Sequence, residues 1–519
     1  MDAATGSSQA GRSRWPLGSR RRLGAALTML LLLVVGVGWV LCSPSGGSPD
    51  DDYHLGSIWC PRPVAESCQT KTIDNVTQVL VPQTIDDDSL CYKKHPETSA
   101  ACRMSYSDET TAYTARYDDG NYPVGYYRFH HALVGSDVTR SVILMRVVNV
   151  LIAVALLGTI ALLSPPALRA GYIAAVGFAW IPMGVYFVAS NNPSSWALTG
   201  VLAYASGLFM SLRAEGKRQW LLLGLGVVGS VLACMSRGDA AFFLFVVSLA
   251  LLLGVRWRRQ IRVHALVAAV VGFAGVWVMR STGQGGYASG EGAQPPPMTR
   301  TRLFEIVQGV PQFLAGMYGR RWGGGWWDVP MDGVITIGAL SLAGIALFMG
   351  VRVMTWRKLL SAGVILGALA GMPVVYAILN GLPNVYVMVQ PRYVLPLLAV
   401  FYLVLFLTDD SRTMMTRTQA MLVVVVSTAV SSAAVHRLLL RYTQGIEDIN
   451  RVPFNLDVGV QWWWNIPISP MQLWALVTAC TLLASTMLVW LVGGGRSRPV
   501  ERETPAASAA PTAESPAAA

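Results

Sequence analysis

Arg20-Arg21-Arg22 stands before Leu23-Gly24-Ala25-Ala26-Leu27-Thr28-Met29-Leu30-Leu31-Leu32-Leu33-Val34-Val35-Gly36-Val37-Gly38-Trp39-Val40-Leu41-Cys42, and Pro49-Asp50-Asp51-Asp52-Tyr53-His54 follows seven residues later. A basic flank, an apolar run long enough to cross ~30 Å of hydrocarbon and an acidic cluster beyond it read as a membrane span with charge sorted across it. The rest of the 519 residues repeats the pattern: 53% are hydrophobic and 13% charged, about half the charge of a soluble domain. The chain is therefore read as an integral membrane protein, which excludes a cytosolic enzyme, an ordinary secreted protein and a disordered chain. A net charge of +11 does not argue for nucleic acid, because the Lys and Arg residues lie in short blocks between apolar runs.

Twelve apolar runs are counted, near 24–42, 141–163, 169–189, 194–212, 219–235, 239–255, 263–279, 334–351, 359–379, 392–408, 418–439 and 471–493. They predict an all-α fold of about twelve transmembrane helices, with both termini on one side. Arg12, Arg14 and Arg20–Arg22, then Arg213, Lys217 and Arg218, Arg256, Arg258, Arg259 and Arg262, Arg352, Arg357 and Lys358, and Arg412 and Arg417 fall on that side, which predicts it to be cytoplasmic. The first run ends without a small-x-small cleavage pattern and is read as an uncleaved anchor. The predicted order is a basic segment 1–23, the first span 24–42, an external loop domain 43–139, spans two to seven in 140–279, an external loop 280–333, spans eight to eleven in 334–439, a Trp-rich external loop 440–470, the last span 471–493 and a disordered cytoplasmic tail 494–519. The 280–333 loop is expected to begin as a mobile Gly- and Pro-rich stretch and continue as an interfacial amphipathic helix over 300–318. Trp462, Trp463 and Trp464 are expected in the headgroup zone.

Segment 43–139 holds fourteen Asp or Glu against seven Lys or Arg. Four of the seven cysteines, Cys60, Cys68, Cys91 and Cys102, lie there at spacings of eight, 23 and eleven. These spacings lack the paired C-x-x-C of a zinc site, so two disulfides in an oxidising compartment are predicted, with three connectivities open.

Chemistry concentrates in three places. Asp50, Asp51 and Asp52 are consecutive carboxylates, in which one raised pKa or a shared divalent cation is expected; either suits a group that takes a proton from a hydroxyl. The plain alternative is a solvated acidic turn. Tyr117-Asp118-Asp119-Gly120-Asn121-Tyr122-Pro123-Val124-Gly125-Tyr126-Tyr127 offers flat amphipathic rings for sugar stacking, or an aromatic belt. Arg146, Arg237 and Arg392, the last beside Tyr393, map to one depth and suit phosphate recognition. The alternative is snorkelling or internal ion pairs, for instance Arg237 with Asp239. Together the three call for a lipid phosphate from the membrane and a hydroxyl from outside.

At these residues the chain resembles the bacterial polytopic proteins of domain-of-unknown-function family 2142, which in turn resemble GT-C membrane glycosyltransferases. Pro49-Asp50-Asp51-Asp52-Tyr53-His54 is similar to that family's Pro-Asp-Glu-Pro-x-His. Tyr122-Pro123-Val124-Gly125-Tyr126-Tyr127 is similar to its Gln-Pro-Pro-Leu-Tyr-Tyr, and Asn192-Pro193-Ser194 to its Asn-Pro-Asp. Pro391-Arg392-Tyr393-Val394-Leu395-Pro396-Leu397-Leu398 resembles its Gly-Arg-Tyr-Leu-Leu-Pro-Leu-Leu. The resemblance implies a polyprenyl-phosphate sugar donor, such as an arabinofuranose or mannose carrier, and an envelope glycan, glycolipid or protein acceptor at the outer face of the cytoplasmic membrane. It implies Asp50 or Asp51 as the catalytic carboxylate, with His54, Tyr122, Tyr126, Tyr127, Arg146, Arg237, Arg392 and Tyr393 binding substrate. No cofactor is demanded beyond the divalent cation that the acidic run could hold. The rivals are a transporter of an envelope precursor, favoured by span count but not by the few mid-membrane charges, and a non-catalytic glycolipid-binding scaffold.

Overall fold

A computed structural model describes residues 19–257, 261–290, 292–329, 331, 333–407, 411, 414–447 and 452–493. Arg12, Arg14, Arg258, Arg259, Arg412 and the tail from 494 lie outside the described residues.

The architecture is a helical bundle with one small sheet. Each of the twelve apolar runs is largely helical, yet among the described residues seven helices are long and apolar enough to cross a membrane: Ser19–Leu41, Val138–Leu163, Lys217–Ser236, Arg262–Arg280, Trp356–Leu379, Arg417–Thr443 and Pro470–Val492. The other five differ for physical reasons. Gly238–Gly254, Val334–Gly350 and Leu395–Phe406 are apolar but shorter; a twelve-residue helix rises only ~18 Å. The 169–189 run divides at Pro182 into Pro166–Trp180 and Met183–Val188. Ser194–Ser211 is built largely of small residues and is buried along its whole length. It lies so close to Lys217–Ser236 that a Cβ at Gly207 would come 2.6 Å from the Gly226 Cα and one at Gly229 would come 2.7 Å from the Gly200 oxygen. Small residues make that approach possible, as in other membrane helix pairs.

Helix starts follow local chemistry. Asp137, Thr355 and Thr416 each accept a bond from a backbone N–H of the first turn, and Thr416 with Gln419 completes a capping box.

Segment 43–139 carries strands β1 (Thr70–Ile73), β2 (Val76–Pro82) and β3 (Thr111–Thr114), antiparallel in the order β1-β2-β3. Two disulfides, Cys60–Cys68 and Cys91–Cys102, select one of the three connectivities. Cys42, Cys234 and Cys480 are free. The segment does not stand apart. Leu55, Ile58 and Trp59 of helix Asp51–Trp59 share a core with Val79, Val81, Val142, Met145 and Trp196, which seats the loop on the Val138–Leu163 helix.

The expectation for the 280–333 loop is corrected in part. The Gly-rich start of 280–333 is helical over Gly283–Ser289, and the amphipathic stretch is two helices, Arg300–Gln308 and Val310–Gly316, meeting at Gly309. Trp462 and Trp464 are buried, and the Trp464 indole donates to the Leu41 carbonyl at 2.8 Å. An indole with an apolar body packs inward when its N–H finds a partner there.

Candidate functional site

The site is organised by Ser43–Pro49, an irregular segment whose carbonyls would each be costly to bury alone. They are satisfied one by one, and from distant parts of the chain. Arg146 donates to the oxygens of Ser43 (2.8 Å) and Pro44 (2.9 Å), Tyr92 to Ser45 (2.7 Å) and Trp326 to Gly46 (2.9 Å). Gly47 receives both Tyr186 (3.0 Å) and Tyr442 (2.6 Å). Pro49 receives Asn192 (3.1 Å) and Arg392 (3.2 Å). This over-determined loop delivers Asp50 at φ 62°, a left-handed conformation that Asp tolerates better than most residues and that such surroundings can maintain.

The three aspartates then diverge. Asp51 is fully buried and paired at 3.0 Å with Arg146, itself fully buried; the amide and hydroxyl of Ser48 also donate to it. Burial drives the Asp51 carboxyl above the usual range against the pull of Arg146 and Ser48. Asp52 is buried between Arg116, at 3.0 and 3.2 Å, and Lys93, at 3.2 Å. Asp50 alone keeps solvent access: its side chain is 33% exposed, bonded to the Arg392 guanidinium, with Arg116 at 3.8 Å. Burial acts to raise its pKa, but the charge and hydrogen bond of Arg392 outweigh it and hold the carboxyl below the ordinary range. Of the two candidate catalytic carboxylates, Asp50 is therefore the one a substrate can reach, while Asp51 and Arg146 fasten the loop to the bundle.

His54 is buried, with Nδ1 3.0 Å from the Tyr127 hydroxyl and no partner on Nε2. Burial pushes its pKa down to about 3, against Asp50, so the ring is neutral at pH 7. Tyr122 meets it edge-on at 5.3 Å between ring centroids. The buried Arg237 lies over both Tyr122 (5.7 Å) and Tyr393 (5.1 Å), and is clamped by Asp239 at 2.9 and 2.6 Å. Arg392 lies over Tyr393 at 5.3 Å and leaves Nε without a partner, as Gln390 leaves Oε1. The four motifs, separated by up to 340 residues, thus converge on Asp50.

Two residues expected to bind substrate do not line the site: Arg146, fully buried against Asp51, and Tyr126. The latter packs on His130 and Trp196 and receives Asn149 at 3.2 Å, so it supports the wall behind Tyr127 instead of lining the site. Sequence reasoning did not single out Arg116 or Lys93, and it gave Asp118 and Gln390 no role of their own within the motifs that contain them. Asp118 is central: it accepts from the Tyr53 hydroxyl (3.1 Å), the Tyr122 amide (2.9 Å) and Arg62 (3.1 Å). The pattern Tyr117-Asp118-Asp119-Gly120 could have marked it as a turn acceptor.

Among the described residues no group of three or more His, Cys, Asp and Glu side chains is arranged to hold a metal ion. The carboxylates of Asp50, Asp51 and Asp52, for which a shared cation was one of two expectations, are divided among four cationic side chains. What the cluster offers is an accessible ionised carboxylate, two guanidiniums and a neutral imidazole between tyrosine rings.

No curated protein and no solved structure matches the chain. The family described as "Predicted membrane protein (DUF2142)" matches residues 33–401, a range that contains all four motifs and most of the chain, and the protein belongs to that family.

Proposed function

We propose that this protein is a GT-C-like membrane glycosyltransferase that moves a sugar from a polyprenyl-phosphate donor to an envelope acceptor at the outer face of the cytoplasmic membrane. In this reading both termini are cytoplasmic, and segment 43–139 lies outside, where two disulfides persist. The observation that supports it is Asp50, the one solvent-accessible carboxylate of the triplet, bonded to an arginine that has nitrogen capacity to spare.

The chemistry follows from those groups. The acceptor hydroxyl oxygen bonds to the anomeric carbon as the carbon–oxygen bond to phosphate breaks; the electron pair leaves with polyprenyl phosphate, and the hydroxyl proton passes to Asp50. The departing charge is met by Arg392 and Arg237. A carboxylate with a depressed pKa is a weak base. Arg392, drawn toward the donor phosphate, loosens its hold on Asp50 and raises its basicity when the donor is in place. One displacement inverts the anomeric centre.

The test is turnover of radiolabelled polyprenyl-phosphate sugar by purified protein in lipid nanodiscs. Asp50→Asn is expected to retain donor binding and lose about 10²–10⁴ in rate, the usual worth of a positioned base. Donor binding by the wild type with no transfer to any acceptor would replace this reading with a glycolipid-binding scaffold.

A further inference from the structure

A second site lies on the loop segment, apart from the cluster around Asp50. A cavity of about 560 Å³ is lined by Arg62, Pro63, Val64, Tyr117, Asp119 and Arg128, among others, within the ~300–1,000 Å³ range of pockets that bind small ligands. We propose that this cavity is an acceptor groove that binds a neutral glycan, an inference that rests on the glycosyltransferase reading.

Its wall is built to be rigid. Residues 61–67 are closed into a loop by Cys60–Cys68, and the Ser67 hydroxyl donates to the Pro61 carbonyl at 2.7 Å. Arg62 donates to Asp118 at 3.1 Å and to the Tyr122 carbonyl at 2.5 Å. Arg128 donates through Nε and Nη2 to the Arg62 carbonyl, at 3.1 and 2.9 Å. A pocket fixed before its ligand arrives spares the ordering cost of binding.

The same bonds connect the groove to the catalytic cluster. Asp118, which holds Arg62 of the groove, also holds Tyr53 and Tyr122, the rings flanking His54. One buried carboxylate therefore fixes the groove relative to the place where an acceptor hydroxyl must meet Asp50. A chain-like acceptor needs such purchase beyond its reacting sugar, because remote contacts are what position the hydroxyl for attack.

The lining selects the ligand class. Tyr117 with Pro63 and Val64 offers apolar faces to the C–H side of a sugar ring. Asp119 supplies an acceptor, and Arg128 has Nη1 uncommitted after its two bonds to Arg62, the pairing that vicinal hydroxyls satisfy. Arg62 is neutralised by Asp118, and the remaining charges of the lining, Asp119 and Arg128, offset one another, so the groove holds no net charge to attract a uronate or phosphate and the glycan is neutral.

The experiment uses full-length protein in nanodiscs and linear neutral hexasaccharides of mannose, glucose and arabinose, with a galacturonic acid hexamer alongside, read by saturation-transfer NMR and competition. At least one neutral hexamer is expected to bind. Tyr117→Ala and Arg128→Ala should each weaken it about 3- to 10-fold, while Tyr117→Phe retains binding and all three bind the polyprenyl-phosphate donor as the wild type does. No binding of any neutral hexamer, preference for the uronate, or unchanged affinity in both alanine variants overturns the proposal. Glycan binding in a protein that turns over no donor would refute the transferase reading but leave the site. Transfer to glycan with no occupancy here would refute the site but leave the reading.

Discussion

Asp50→Asn and Asp51→Asn, adjacent in sequence, are expected to fail in opposite ways. The Asp51 and Arg146 side chains are both 0% exposed and 3.0 Å apart. With Asn at 51, Arg146 retains the carbonyls of Val40, Ser43 and Pro44 but has no counter-charge where water does not reach. Breaking a buried pair from one side costs about 3–5 kcal/mol, a large share of the ~5–15 kcal/mol that holds a typical fold. At Asp50 water reaches the carboxylate and can replace it beside Arg392, so Asn there costs about 1–2 kcal/mol, and Asn tolerates the left-handed backbone. Tryptophan-monitored thermal unfolding in detergent, run beside donor turnover, separates the two. Asp51→Asn should melt far below the wild type, and Asp50→Asn should melt close to it but be inactive. Removing both charges, with Asp51→Leu and Arg146→Met, should recover part of the loss, the remainder being carbonyls left without donors at about 1–3 kcal/mol each. Wild-type melting of Asp51→Asn with lost turnover would reverse the assignment and make Asp51 the base.

Other expectations follow from the same geometry. Arg392→Lys keeps the charge but cannot bond Pro49, Asp50 and a phosphate at once, so donor KM should rise at least about tenfold; an unchanged KM would place the phosphate elsewhere. His54, neutral through burial, takes up a proton on unfolding between pH 6.5 and about 3. Stability is therefore full above pH 6.5 and falls on acidification, His54 contributing up to about 1.4 kcal/mol per pH unit. The buried His130, lowered to about 4, adds to the slope in the same window. His54→Gln should therefore reduce the slope by about that amount, and an unchanged slope refutes the source. Asp50 adds its own loss only below the ordinary carboxylate range, because its folded pKa is lowered. Peptide mapping without reductant should recover Cys60–Cys68 and Cys91–Cys102 as the linked pairs, and removing either is expected to cost about 2–5 kcal/mol; any crossed pair refutes the loop fold. Engineered cysteines in 43–139 should label in intact cells while positions in 256–262 are shielded, and the reverse would remove the proposed active site from the outer face.

The apolar runs were legible because hydrophobicity is a local property of the chain. Whether a run is long enough to cross is less so. Leu395–Phe406 is cut short by the Pro391–Tyr393 turn before it and ends at Leu407, and 194–211 is built for burial against glycines of another helix. The motifs of the site were legible as residue types, since three consecutive carboxylates, a tyrosine-rich stretch and single arginines apart from the basic blocks stand out along the chain. Their division of labour was not. Tyr126 and Tyr127 are consecutive on one short helix and therefore point apart, so one faces Trp196 and the other His54. Arg237 was legible as either a phosphate ligand or a partner of Asp239. It makes the bidentate pair, yet its guanidinium still lies over two site tyrosines, so the pair orients the charge toward the cluster.

The acidic triplet shows why the rest required the fold. Three adjacent carboxylates suggest mutual repulsion as the source of a raised pKa, and the raised group does exist, but its cause is different. Asp51 is raised by burial first, and Asp52 is not among the charges acting most strongly on it. Repulsion is relieved because each carboxylate turns to its own cation: Arg392 for Asp50, Arg146 for Asp51, and Arg116 with Lys93 for Asp52. These cations lie some 40 to 340 residues away, on segments brought together only by the bundle. Asp51 and Arg146 are closed to solvent as a pair, Asp52 is buried under cations that reach the surface, and both fasten the segment that leaves Asp50 open. The exposed carboxylate at Asp50 thus goes with the other two being spent on structure: together with the donors on Ser43–Pro49 they fix the segment that holds Asp50 at φ 62° beside the buried Arg392.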